Sequence, residues 1–156
     1  MDLFQELISV SRAIKKYRHL LIGGMAYAVY VEPRATQDID FLICQNDLIK
    51  ILRVLNQMGF LGQPNLMEFK KAKLARCIKV KGTDTLIVDF LLLSKKEFDK
   101  LYHRHIIIKH GKIKLNVISA EDLIKLKQRR ATPQDKVDIM NLQRCLRKDN
   151  ADQKIT

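Results

Sequence analysis

Tryptophan is absent, and aromatic residues of any kind make up only 6% of the 156 positions. Those few are scattered, so a platform of rings for stacking nucleic-acid bases is not encoded. Cysteine is also scarce. Cys44, Cys77 and Cys145 are odd in number and far apart, with no Cys-x-x-Cys pair, which excludes a disulfide framework and predicts free thiols in a reducing cytoplasm. His19, His103, His105 and His110 complete no zinc-ligand pattern with them. Long apolar runs are missing too: the stretch from Leu86 to Leu93 is interrupted by Asp89 and is far shorter than a membrane span. The first residues carry Asp2 and Glu6 where a secretory signal would carry base, so export is not expected. With three prolines, six glycines and no low-complexity stretch, nothing marks a linker. A single domain over residues 1–156 is therefore the expectation, with a helical C-terminal part at about 119–148.

What the chain has in excess is positive charge. Twenty-nine Lys and Arg against 17 Asp and Glu leave a formal charge of +12, which favours anionic partners without naming one. One basic run is Lys70, Lys71, Lys73, Arg76, Lys79 and Lys81; a second is Arg104, Lys109, Lys112 and Lys114. Solvated outer strand faces and an RNA-binding surface explain these runs equally well.

Periodicity gives a mixed order of helices and strands. Leu3, Leu7, Ile8 and Ile14 recur at helical spacing behind Asp2, a capping residue. His19 to Ile22 reads as a short strand, Gly23-Gly24 as a turn and Met25 to Val31 as a small helix. Asp38 to Ile43 reads as a second strand, followed by a helix over about 47–58 that Gly59 ends. Leu74 to Val80 and Thr85 to Leu93 form a hairpin across Lys81 to Asp84. Ser94 opens a helix through Leu101, and Ile106 to Ile108 and Ile113 to Val117 flank a turn around Gly111. Ser119 and Pro133 then open two helices, and a polar tail is expected after Arg147. The expected fold class is α/β (α+β): a mixed, partly antiparallel sheet of about five strands flanked by helices.

The chemistry centres on carboxylates. On an extended strand Asp38 and Asp40 project from one face while Ile39 points the other way. Two adjacent carboxylates repel unless a cation lies between them. Magnesium, which takes carboxylate and phosphate oxygens, is the natural partner, with manganese as the substitute. An Asp-x-Asp alone is common in turns and caps. Here it opens an apolar run and follows a glycine turn set between strand and helix. Asp89 lies within Leu86 to Leu93, where an ionised group is costly unless paired or metal-bound. Metal contact or proton acceptance is expected of it, with an ion pair to a lysine as the plain alternative. Gly23 and Gly24 can bring bare amides to phosphate oxygens at a helix N-terminus. No P-loop or Gly-x-Gly-x-x-Gly pattern accompanies them. Arg34 and Thr36 either touch phosphate or brace the loop. Lys127, beside the apolar Leu123 and Leu126, either reaches a triphosphate or snorkels to the surface. Asp135 and Asp138, one turn apart, either orient Lys127 or Arg130 or form exposed helix salt bridges.

Leu21-Ile22-Gly23-Gly24-Met25-Ala26 followed by Arg34-Ala35-Thr36-Gln37-Asp38-Ile39-Asp40-Phe41 resembles the signature of polymerase-beta-type nucleotidyltransferases. Within that superfamily the chain is most similar to the abortive-infection toxin branch. Glu121 to Lys127, Arg130 and Gln134 to Ile139 extend the resemblance toward the C-terminus. It implies a nucleotidyltransferase-like fold, with Asp38, Asp40 and Asp89 as the catalytic, metal-binding carboxylates and Asp89 helping to activate an acceptor hydroxyl. It further implies attack on the α-phosphate of a nucleoside triphosphate such as ATP, with release of pyrophosphate. Gly23, Gly24, Arg34, Thr36 and Lys127 are the expected nucleotide contacts. The acceptor stays open among RNA such as tRNA, protein and small molecules, and a cognate antitoxin or second subunit is an expected partner. The alternative is a non-catalytic nucleotide or RNA sensor of the same fold. Gly24 stands where the superfamily often has serine, which removes one hydroxyl contact.

Overall fold

The computed structural model describes residues 1–64, 67–69 and 72–154, Phe69 by its backbone alone; Lys70 and Lys71 of the first basic run lie outside these. The element order is α1 (Leu3–Ala13), β1 (His19–Ile22), α2 (Gly23–Tyr30), β2 (Asp38–Cys44), α3 (Leu48–Gln57), β3 (Leu61–Gly62), β4 (Met67–Phe69), β5 (Ala72–Lys81), β6 (Asp84–Leu93), α4 (Lys95–His103), β7 (Ile106–His110), β8 (Ile113–Val117), α5 (Ala120–Arg130) and α6 (Pro133–Gln153). Capping residues act where the sequence places them. Asp2 accepts from the amides of Phe4 and Gln5, Ser94 and Glu97 form a capping box on α4, and Ser119 caps α5. Gly59, at φ 87°, ends the turn after α3.

Among the described residues eight strands form one sheet in the order β3-β5-β6-β2-β1-β8-β7, with β4 pairing β5. The strand count exceeds the expected five; two of the additional strands, β3 and β4, are two and three residues long and carry no readable alternation. The mixed character is as expected: β2 and β6 are parallel, β1 and β8 are parallel, and the other neighbours are antiparallel. Two boundaries differ from expectation. α2 begins at Gly23 itself, and α6 runs on to Gln153 where a polar tail was expected. The second half of α6 is largely exposed, so it lacks the apolar period by which helices are read.

Alternation divides the central strands into two faces. Ile39, Phe41 and Ile43 of β2, Val88 and Phe90 of β6, and Ala75 and Cys77 of β5 are fully buried on one of them. The helices α1 and α3 cover this packed face. A Cβ on Gly62 would strike Cys77 Sγ and Leu52 of α3, and Lys81 reaches Glu6 of α1 at 3.6 Å. Burial raises the Cys77 thiol to about 12, with Asp89 adding to the shift. The opposite face carries Asp38, Asp40 and Asp89. Among the described residues no helix is long and apolar enough to cross a membrane.

Candidate active site

Register assembles the carboxylates. Asp40 lies beside Ile22 on β1 and beside Asp89 on β6, and Asp89 lies beside Arg76 on β5. Paired residues on neighbouring strands project from the same face, and so do residues two apart. Asp38, Asp40, Asp89 and Arg76 therefore share one surface, a juxtaposition no local spacing reveals. Arg76 was read from sequence only as a member of a basic run. Its Nε and Nη2 donate to Asp89 Oδ1 and Oδ2, each at 2.8 Å, in the bidentate geometry that suits guanidinium to carboxylate. The plain alternative for Asp89 is thus present, with arginine rather than lysine as the partner.

The other two carboxylates have no such partner. Burial, then Asp89, then Asp38 raise Asp40 to about 6, against the weaker opposing pull of Arg130 and Lys127. Asp38 is also raised, by burial first and Asp89 second, with Arg76 pulling the other way. Gly23 holds φ +69°, and a Cβ there would fall 2.2 Å from Asp40 Oδ2. Only glycine lets this backbone pass so close to the carboxylate. Gly24 is confined as well: its Cβ would meet Thr36 Oγ1 at 2.9 Å and Arg34 Nη2 at 3.6 Å. Thr36 Oγ1 donates to the Asp38 carbonyl at 3.4 Å. Gly23, Gly24, Thr36, Asp38 and Asp40 thus form one continuous patch where strand β1 becomes helix α2.

Behind that patch lies an ionic cluster tying α5 to α6. Lys127 is 3% exposed, and Asp135 and Asp138 are fully buried. Lys127 Nζ donates to Asp138 Oδ2 at 2.8 Å and stands 3.6 Å from Asp135 Oδ1. Arg130 grips Asp135 through Nε and Nη2 at 2.8 and 2.7 Å. Arg34 Nη2 donates to Asp138 Oδ2 at 2.8 Å while its guanidinium lies over the Tyr27 ring. The snorkelling alternative for Lys127 does not hold, because its ammonium is paired in the interior. The exposed-salt-bridge reading of Asp135 and Asp138 fails for the same reason. Burial alone would raise both carboxylates, but their cationic and hydrogen-bonding partners outweigh it and hold them below the usual range. Arg34 keeps one loose end, since its Nε is buried without a hydrogen-bond partner. Tyr27, which receives Arg34 and accepts from Asn141 Nδ2 at 3.0 Å, was not singled out from sequence. An aromatic residue on a buried helix face carries no local mark of such a role.

Among the described residues no group of three His, Cys, Asp or Glu side chains forms a ready-made metal cage. Magnesium does not require one, because it is commonly held by one or two carboxylates together with substrate phosphates. Asp38 and Asp40 fit that requirement: burial and the neighbouring carboxylates drive both toward protonation, and the absence of a side chain at Gly23 leaves space at Asp40 Oδ2.

Comparison with known proteins agrees with this geometry. Residues 1–148 match the family described as nucleotidyltransferases of unknown function, DUF6036. The chain belongs to that family. No curated protein matches it in sequence. Its fold is shared by the lincosamide antibiotic adenylyltransferase LnuA in a lincomycin-bound structure, at 18% identity and TM-score 0.61 over 89% of this chain and 95% of that one. A Thermotoga maritima protein thought to be a nucleotidyltransferase aligns at 14% identity and TM-score 0.62, covering 96% and 93%. ANT(2")-Ia in complex with adenylyl-2"-tobramycin aligns at 12% and 0.57, covering 92% and 87%. These likenesses establish a polymerase-beta-type nucleotidyltransferase fold.

Proposed function

We propose that this chain, folded as a single domain, is a magnesium-dependent enzyme that moves a nucleoside monophosphate from a nucleoside triphosphate such as ATP to a hydroxyl acceptor. The observation that carries the reading is the row formed by Asp38, Asp40 and Asp89, in which Asp40 is raised to about 6 by burial and by its two carboxylate neighbours. Asp38 and Asp40 would hold the metal, which supplies charge neutralisation for the phosphates when bound. Gly23 and Gly24 leave the start of α2 open to phosphate oxygens. Arg34 has a buried donor to spare, and Lys127 contributes positive charge from behind Asp40. The acceptor oxygen attacks the α-phosphorus and forms the new phosphoester. The bond to the β-phosphate oxygen breaks, and its electron pair leaves on pyrophosphate. The hydroxyl proton passes to Asp89, whose orientation Arg76 sets.

A second reading, a nucleotide-binding sensor without turnover, is favoured by one observation: both oxygens of Asp89 are engaged by Arg76. The two readings separate in one experiment. Wild type and Asp40→Asn are incubated with each α-labelled nucleotide, magnesium or manganese, and either total RNA including tRNA or a small-molecule extract. Transfer by wild type, reduced at least about 100-fold in Asp40→Asn and abolished by chelation, is the expected result. Metal-dependent nucleotide binding without transfer would establish the sensor, and absence of binding would refute both. A cytoplasmic toxin countered by an antitoxin rests on the resemblance to the abortive-infection branch. It predicts growth arrest on expression of wild type and none with Asp40→Asn.

A further inference from the structure

The face that bears the carboxylates continues past Arg76 to the edge of the sheet. Ile78 pairs with Ile87, which pairs with Asp38, and Leu61 of β3 pairs with Ile78 from the outer side. Val80 follows two residues along β5, and Met67 of β4 pairs with Leu74 on the same face. This strip is apolar and open: Leu61 is 80% exposed, Val80 68%, Met67 44% and Ile78 37%. Strand edges of this kind are ordinarily charged or covered.

Among the described residues, the cations of the neighbourhood are elsewhere. Lys73, Lys79 and Lys81 fall on the other face by alternation; Lys79 lies over the Phe60 ring and Lys81 pairs with Glu6. Arg76 is the one cation of β5 on the carboxylate face, and its charge is matched by Asp89. Lys109, Lys112 and Lys114 of the second basic run lie in the β7–β8 hairpin at the other end of the sheet, with β1, β2 and β6 between them and β5. Arg104 is held by Asp122 through two bonds of 3.0 Å. Among the described residues the strip carries no free positive charge, and a polyanion gains little along such a surface. Its size decides between a protein and a smaller occupant. Four partly exposed side chains offer a few hundred Å² of apolar surface, the scale of a functional patch on a monomer and below the roughly 800 Å² per partner of a standard protein interface.

We propose that the Leu61–Met67–Ile78–Val80 strip is the acceptor subsite, and that the acceptor is a small neutral molecule carrying its hydroxyl on an apolar body. The assignment rests on the transfer reading above. The apolar body lies on the strip, its hydroxyl oxygen reaches the α-phosphorus beside Asp89, the proton goes to Asp89 and pyrophosphate departs.

A series from 1-butanol to 1-octanol tests this against methyl-labelled protein. The alcohols are expected to shift the Leu61, Ile78 and Val80 methyl signals, with affinity rising up to about fourfold per methylene. With nucleotide and magnesium they are expected to take up label in the same order. Leu61→Lys combined with Val80→Lys flattens the series, whereas Lys79→Ala, on the opposite face, preserves it; thermal melts confirm that each variant is folded. The proposal is overturned by absent methyl shifts, by a series unchanged in the double variant, or by a wild-type dimer that the double variant dissolves. Shifts without transfer in a protein that binds nucleotide overturn it too, as does RNA labelling that proceeds equally in wild type and double variant. A wild type that binds no nucleotide fails the transfer reading instead, while the methyl shifts still report on the strip.

Discussion

Two groups of carboxylates in this molecule, Asp135 with Asp138 in the interior and the partly exposed Asp38 and Asp40 with Asp89 on the sheet face, are provisioned in opposite ways. Asp135 and Asp138 receive Arg130, Lys127, Arg34, Gln134 and the Thr132 cap, and both are held below the usual carboxylate range. Asp89 has Arg76 as its direct partner, while among the described residues Asp38 and Asp40 have none, and both are raised. A structural ion cluster is completed by the chain itself, whereas a site for an external cation is left short of positive charge. On the function proposed above, the difference separates the carboxylates that support the fold from those kept for chemistry.

The largest effect expected from breaking this contrast is at Asp138. Asp138→Ala removes the partner of Lys127 and Arg34, both held in or near the interior, and should cost about 3–5 kcal/mol of stability. Urea denaturation measures it; a loss below about 1 kcal/mol would mean that the cluster is not structural. Asp40→Asn should act in the opposite direction. Without metal at neutral pH it relieves the burial cost and the carboxylate repulsion that raise Asp40 from its ordinary value to about 6, a gain of up to about 3 kcal/mol. Destabilisation by this substitution would remove the distinction between the two groups.

The same contrast sets the pH dependence. Asp40 binds a proton more tightly folded than unfolded, so its contribution is fully present below about pH 4 and is lost as pH rises through about 6. Asp135 and Asp138 behave inversely: their contribution is present above about pH 4 and is lost as pH falls through their depressed folded values. The metal-free protein should therefore lose stability on the limb from about pH 4 to 6, and Asp40→Asn or saturating magnesium should flatten that limb in thermal melts. A limb unchanged by both would assign it to other groups. The smallest effect is at Arg76, whose side chain is 38% exposed. Arg76→Met should cost only about 1–2 kcal/mol and should increase the stabilisation conferred by magnesium, because it deepens the shortage of positive charge. A smaller magnesium effect would show that Arg76 organises the site rather than competing for it.

Much of this contrast is readable from sequence, and what is not has a physical cause. Spacing by two is enough to put Asp38 and Asp40 on one face, and an acid inside Leu86 to Leu93 is conspicuous because burial is costly. Arg76 escapes such reasoning because its meaning comes from cross-strand register, which sets it opposite Asp89 across a hairpin. The pairing of Lys127 with Asp135 and Asp138 is legible only as one of two alternatives, because these partners lie 8 and 11 residues on, in another helix whose packing no period announces. The edge strands β3 and β4 are too short to alternate. The apolar strip is hidden for a related reason: Lys73, Lys79 and Lys81 make the stretch look basic, and only the pleat separates them from Ile78 and Val80.

Gly23 carries a consequence for the history of the chain. Its missing side chain and the carboxylate of Asp40 occupy what would otherwise be the same space, so neither position can drift independently. If the proposed function holds, a descendant that abandons turnover and loses Asp40 is released at position 23 to the extent that its backbone conformation permits. One that retains the acid must retain the glycine. Joint inheritance of the two residues would therefore distinguish working lineages from retired ones before any assay is run.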